Sequence, residues 1–173
     1  MRITLASSRP ALMLAASGAL VTVAMPAPAS AGTQSATMGV SATVTANCTV
    51  SATPVAFGSV NTLSGANVDA NGTVTVACTG GAPWTLSADA GGGSGATMAV
   101  RRMTFGANTL NYTIHTTAGH GTVWGNGTSG TATIGGTGTG AAQTVTVYGR
   151  VFSGQTGVPA GSYSDTVNVT VTY

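Results

Sequence analysis

Few side chains in this sequence could do covalent or acid–base chemistry. There is no Lys in the chain and no Glu; the carboxylates are Asp69, Asp89 and Asp165. Paired-carboxylate catalysis needs two such groups held close in environments that push their pKa values apart. Each of these three sits among Gly, Ser, Asn or Ala, in turn-like settings where Asp commonly caps its own backbone. His115 and His120 lie across an expected turn and could start a zinc site, but zinc wants four ligands and no carboxylate is near them in sequence. They are expected to be exposed and incidental. No Gly-x-Ser-x-Gly elbow accompanies the many serines. Arg101-Arg102 is expected to be a solvated or edge-guarding pair. Trp84, Trp124 and Tyr148 could make a glycan platform, although core aromatics are the better reading. The expectation is a protein that is not an enzyme and has no catalytic residues, no metal and no cofactor.

Cys48 and Cys78 are the remaining reactive groups. In an exported chain an isolated pair reads as a disulfide. The closed loop of about 30 residues is worth roughly 3–4 kcal/mol by the chain-entropy model. Export itself is read from residues 1–31. Arg2 and Arg9 give a positive start, Ala11 to Met25 is apolar, and Ala29-Ser30-Ala31 is a small-x-small cleavage site. The apolar run falls short of the ~20 residues that span a bilayer. Removal after Ala31 is therefore expected, with no membrane span afterwards. It would leave Arg101, Arg102 and Arg150 balanced by the three aspartates. A chain without clustered positive charge is a poor match for nucleic acid or an acidic membrane.

The elements that must position these residues are strands. Thr, Val and Gly dominate, turn signals recur about every ten residues, and helical periodicity never persists after Ala31. An all-β sandwich or barrel follows. Ala36 to Ala46 alternates strictly: Met38, Val40, Ala42 and Val44 share one face, with Gly39, Ser41, Thr43 and Thr45 on the other. Further strands are expected at 54–60 with Phe57 inward, and at 73–78 rising from an Asn71-Gly72 turn. Others are expected at 83–88 with Trp84, Leu86 and Ala88 on one face, at 96–105, at 110–115, at 131–134 and at 143–151. Residues 90–95 read as a flexible Gly-rich loop, 135–140 as another loop, and Asn126-Gly127 as a type I′ hairpin turn.

The final stretch, 162–173, alternates again, with Val167, Val169, Val171 and Tyr173 on one face. The sequence stops at that strand, and the expectation is that no further strand follows to close an immunoglobulin-like core. An unused alternating strand stands at the other end. Either it folds back into its own sandwich, or it fills the gap in the next copy and head-to-tail repetition builds a fibre. Patterning alone leaves both open.

From about Ala36 to Tyr173 the chain resembles the spore coat protein U domain, which is shared with subunits of archaic chaperone–usher pili. The residues that carry the likeness are the alternating strand ending in Asn47-Cys48, Val55-Ala56-Phe57-Gly58, Gly72 to Cys78, Leu110-Asn111-Tyr112, Thr122 to Gly127, Val145 to Arg150, and Pro159-Ala160-Gly161-Ser162-Tyr163-Ser164-Asp165-Thr166-Val167. The resemblance implies an incomplete immunoglobulin-like β-sandwich completed by a donor strand from another subunit. It implies 1–31 as signal peptide, 32–47 as donor segment and 48–173 as the sandwich domain. Met38, Val40, Ala42 and Val44 would be donor residues, and Val167, Val169, Val171 and Tyr173 the acceptor edge. Its implied partners are a periplasmic chaperone, an outer-membrane usher and further copies in a head-to-tail polymer. A surface pilus supporting adhesion and biofilm formation is the implied role. A spore or cyst coat protein of the same fold, or a small surface binding module, is the alternative.

Overall fold

The structure is a computed structural model that describes residues 25–173. Most of the expected signal peptide, including Arg2 and Arg9, lies outside the described residues. The chain divides into two units, Met1–Ser41 and Ala42–Tyr173. In the first, residues 25–41 are exposed and belong to no strand or helix. The second carries eight strands. They are β1 (Cys48–Ala52), β2 (Val68–Cys78), β3 (Pro83–Ala88), β4 (Arg101–Phe105), β5 (Asn108–His115), β6 (Ile134–Thr137), β7 (Ala142–Val151) and β8 (Val169–Thr172).

All strand pairs are antiparallel and form two sheets, one ordered β1-β2-β7-β5-β4 and the other β6-β3-β8. The all-β expectation holds, and no helix occurs among the described residues. Period-2 alternation explains the core. Val74, Val76 and Cys78 of β2, Leu110, Tyr112 and Ile114 of β5, and Val147 and Val151 of β7 face Trp84, Leu86 and Ala88 of β3. Cys48 pairs with Cys78 in register and the two form a disulfide with Cα atoms 4.1 Å apart. The covalent tie thus pins β1, at the edge of the larger sheet, to β2.

Several expected elements differ. Asn71-Gly72 is no turn: β2 runs through it, and Gly72 pairs with Val147. Residues 54–60 form no strand. Gly72 and Gly149 occupy inner-face positions beside Val74 and Val147, and the bare backbone there admits Val55 and Phe57. A Cβ on Gly72 would stand 2.7 Å from Val55, and one on Gly149 would stand 2.5 Å from Val55 and 2.8 Å from Phe57. Asn126-Gly127 is not a type I′ turn, which needs φ > 0 at both residues; Gly127 has φ 85° but Asn126 does not. Asn126 Oδ1 instead accepts from Thr128 N–H at 3.0 Å, and Trp124 bridges Ala132 in the parallel sense, so no hairpin forms. Residues 134–137 pair with β3 where a loop was expected. The 90–95 loop is packed and not free: added Cβ atoms on Gly91 and Gly93 would collide with Asp165 and with the Arg102 backbone. Regular pairing in the last stretch begins only at Val169, and that in 96–105 only at Arg101.

Seating Val55 and Phe57 on glycine gives a direct test. Gly149→Ala should cost about 1–3 kcal/mol through overpacking, read as a lowered urea midpoint. Gly119→Ala, where a Cβ meets nothing within 4 Å, should leave the midpoint unchanged.

Candidate functional site: an open groove over the core

The smaller sheet has only three strands, and β8 pairs β3 on one side alone. Part of the larger sheet's inner face is therefore uncovered by strand. A groove of about 470 Å³ opens there. Its floor is Val74, Ile114 and Val147 with Trp124, one wall is Ala52 to Phe57, and the other is Tyr163 to Val169. A second hollow, of about 800 Å³, continues it past Phe57, Met103 and Tyr163 toward Leu63 and Val158.

The wall at 163–169 has an ordered inner logic. Ser164 pairs its N–H and C=O with Thr104, and Asn168 pairs with Asp89. In an extended chain alternate residues point their backbone groups to opposite sides. The odd residues, Asp165 and Val167, make no backbone hydrogen bond among the described residues. Their amides and carbonyls stand toward the side where the sheet lacks a neighbour. Unpaired strand backbone is a template for another chain.

Of the residues singled out from sequence, Val167 and Val169 line this wall. Val171 lies on β8 and packs on the core, while Tyr173 is 55% exposed and donates its hydroxyl to Asn47 Oδ1 at 3.5 Å. Met38, Val40 and Val44 expose 88%, 89% and 83% of their surface, and Ala42 is exposed too. Four alternating apolar residues left in water on one face of a segment are unusual in an ordered protein. The opposite wall, Ala52 to Phe57, escaped sequence reasoning because Phe57 suggested a paired strand. The signal was the pair of glycines, Gly72 and Gly149, at positions where the alternation calls for a buried side chain.

The charged residues required correction. Arg101 is not solvated: it is 0% exposed. Its guanidinium donates to three backbone carbonyls, Asp89 at 2.9 Å, Met98 at 3.1 Å and Trp124 at 2.8 Å. A buried cation needs such partners, and burial still pulls its pKa below the ordinary value, against the charges of Asp89 and Asp165. Arg102 donates to Ser94 O, closing the 90s loop. Asp89 Oδ1 accepts from Gly91 and Asn168 N–H, and Oδ2 from the Asn168 amide at 2.6 Å. Burial alone would raise the Asp89 carboxyl, but these donors and Arg101 hold it below its usual range. Asp165 Oδ2 accepts from the Tyr112 hydroxyl at 2.7 Å, and Oδ1 accepts from Gly92 and Thr166 N–H at 2.8 Å. Burial and that bond push the Tyr112 phenol well above its ordinary value.

Asp69 lies near the start of β2, not in a turn, and forms a bidentate pair with Arg150 at 2.7 Å. That pair, more than any other cause, lowers its pKa. The histidines are not exposed either. His115 is buried, with its ring 5.0 Å from that of His120, and His120 Nε2 is 3.7 Å from Asp69 Oδ1. Burial, and then His120, lowers the His115 pKa. Among the described residues no group of three His, Cys, Asp or Glu is placed to hold a metal. Trp84 and Trp124 are core residues, 5% and 1% exposed.

Against this geometry, a family profile described as Spore Coat Protein U domain matches residues 34–170. Among solved structures, the chain is similar to one from a chaperone–tip adhesion subunit pre-assembly complex of the archaic chaperone–usher Csu pili of Acinetobacter baumannii. Identity is 22% and the TM-score 0.55, and the match covers 76% of this chain and 40% of that one. The likeness is therefore one of fold. No curated protein is matched.

Two outcomes are expected. Arg101→Met should destabilise by about 3–5 kcal/mol, because one buried and two partly buried carbonyls lose their donor, measured by urea unfolding. Asp69 and Asp89 have depressed pKa values in the fold, so their contribution is present above the ordinary carboxylate pKa of about 4 and is lost as pH falls below it. Stability should begin to fall as pH drops from 7 to about 5, because buried His115 is held neutral in the fold and charges on unfolding. It should fall further below about pH 4 as the aspartates protonate, and Asp89→Asn should flatten that lower part.

Proposed function

We propose that this chain, which belongs to the Spore Coat Protein U domain family, is an exported structural subunit of a surface pilus, joined to its neighbours by donor-strand exchange. The observation that carries the reading is the presence in one chain of two incomplete halves. One is a groove whose wall at 165–167 has unpaired backbone over an apolar floor. The other is a segment, 36–46, whose alternating apolar face is left in water.

In this reading 1–31 is the signal peptide, 32–47 the donor segment and 48–173 the acceptor domain. Met38, Val40, Ala42 and Val44 enter the groove of another copy, against Val167, Val169, Val171 and Tyr173. Backbone pairing contributes roughly 0.5–1.5 kcal/mol per hydrogen bond. Each fully buried Val or Met adds on the order of 1.5–3 kcal/mol; Ala42 adds less and makes a shallow point in the donor. Repeated head to tail, a heterologous contact of this kind gives a fibre. A free subunit with such an edge is prone to aggregate, so a periplasmic chaperone that lends a strand and an outer-membrane usher that exchanges it are the partners proposed. The solved neighbour comes from a chaperone–subunit complex, which supports a chaperone partner. Adhesion and biofilm support belong to the same proposal. The role is structural and not enzymatic, in keeping with three carboxylates engaged in hydrogen bonds or ion pairing. A second reading, a spore or cyst coat component assembled the same way, is favoured by the description of the family.

The test is Val40→Asp and Val44→Asp, with Thr43→Asp as control on the opposite face. In a donor strand the new carboxylate enters another subunit's core unpaired, at several kcal/mol. Fibres should vanish from the cell surface by electron microscopy, while the subunit still co-purifies with a strand-donating chaperone. Loss of soluble subunit itself in both Val variants, with Thr43→Asp well behaved, would mean that the segment completes its own domain. Fibres on the cell support the pilus, and antigen confined to the coat supports the second reading.

A further inference from the structure

We infer that Asp89 and Asp165 are positioning residues for strand uptake: they hold residues 165–168 extended before any donor arrives, with the Asp165 and Val167 backbone turned into the groove. This deepens the donor-strand reading and rests on it. Residues 165–168 precede β8 and have no strand beside them. Left alone, such a segment would sample many conformations, and a donor would have to order it on arrival, at a cost in affinity and rate. Side chains replace the missing strand on the side away from the open edge. Asp89 supplies a backbone N–H to Asn168 O at 3.1 Å, accepts Asn168 N–H at 3.0 Å, and takes the Asn168 side-chain amide at 2.6 Å. Asp165 accepts the N–H of Thr166 and of Gly92, both at 2.8 Å, and ties itself to the core through the Tyr112 hydroxyl at 2.7 Å.

The clamp is anchored in depth. Asp89 O is one of the three carbonyls held by buried Arg101, and the Trp124 carbonyl, on a groove-floor residue, is another. Gly91 has φ 78° and no room for a Cβ beside Asp165, so the loop fits against the carboxylate closely. On the wall itself, these bonds use the backbone of Thr166 and Asn168 and the side chains of Asp165 and Asn168. None uses the backbone of Val167. The edge is thus fixed in place and left free to pair.

The experiment uses the full chain recovered from the periplasm and a fluorescent synthetic peptide of residues 32–46 in excess. Association and dissociation rates are read by anisotropy, and amide hydrogen exchange at Thr166, Val167 and Asn168 is read without peptide. Asp165→Asn, Asp89→Asn and the milder Tyr112→Phe and Asn168→Ala are compared with Asp69→Asn, whose carboxylate pairs with Arg150. Losing one such bond should speed exchange at 166–168 and slow association about tenfold, with dissociation changed less and Asp69→Asn like wild type. Should the Asp variants fail to fold, the Tyr112 and Asn168 variants carry the same test. Wild-type association rates in the folded variants, or unchanged exchange at 166–168, would overturn the inference. A wild-type chain that takes up no peptide at all would overturn the donor-strand reading, and this inference with it.

Discussion

A β-strand has two edges, and the backbone on each must find a partner or face water. Among the described residues the outer edges of β1, β4, β6 and β8 have no strand beside them, and the stretch leading into β8 carries unpaired backbone beside an apolar groove. The larger sheet has five strands and the smaller three, so one sheet is too narrow to cover the other. The consequence is geometric. Val74, Val147 and Trp124 remain buried, at 1%, 3% and 1% exposure, yet they floor a groove instead of a closed core. The fold is stable where its alternating faces meet and incomplete where the eighth strand, paired with β3 on one side, has no strand on the other. An apolar segment with matching period exists in the same chain, and this match is what motivates the proposed assembly between copies.

A charge is what keeps the incomplete region ordered. Arg101 is buried without a carboxylate in direct contact, and burying a cation is expensive unless its donors are filled. Three carbonyls fill them, and they come from three different stretches of chain: 89, 98 and 124. The guanidinium therefore does what a strand pairing does elsewhere, fixing loops relative to one another. Asp89 and Asp165 carry that fixation out to residues 165–168. Of the few charged groups in the chain, Asp165 lines the groove and Asp89 and Arg101 stand behind its wall.

Glycine has two separate uses here. At Gly91 and Gly127 it supplies a left-handed backbone in tight loops. At Gly72 and Gly149 it supplies only the absence of a side chain, and the space receives Val55 and Phe57. The first use is familiar from turns; the second resembles a turn signal in sequence and is a packing feature in space. Asn71-Gly72 was misread for that reason.

What the sequence determined by itself is what depends on local period and on compartment. Alternation of apolar with small or polar residues specified the buried faces of 74–78, 84–88, 110–114 and 145–151, because a pleated strand repeats every two residues. Export signals and a lone cysteine pair specified the Cys48–Cys78 tie. The exposed alternation of 38–44 and the inward valines at 167 and 169 were legible on the same grounds. Only the tertiary structure decided the rest. Whether Arg101 meets water or carbonyls, and whether 54–57 pairs or lies across glycine, are set by segments as far as 23 and 94 residues away (149 − 55 for Val55 against Gly149). No local period encodes contacts of that range, because they depend on how two sheets of unequal width come to face each other.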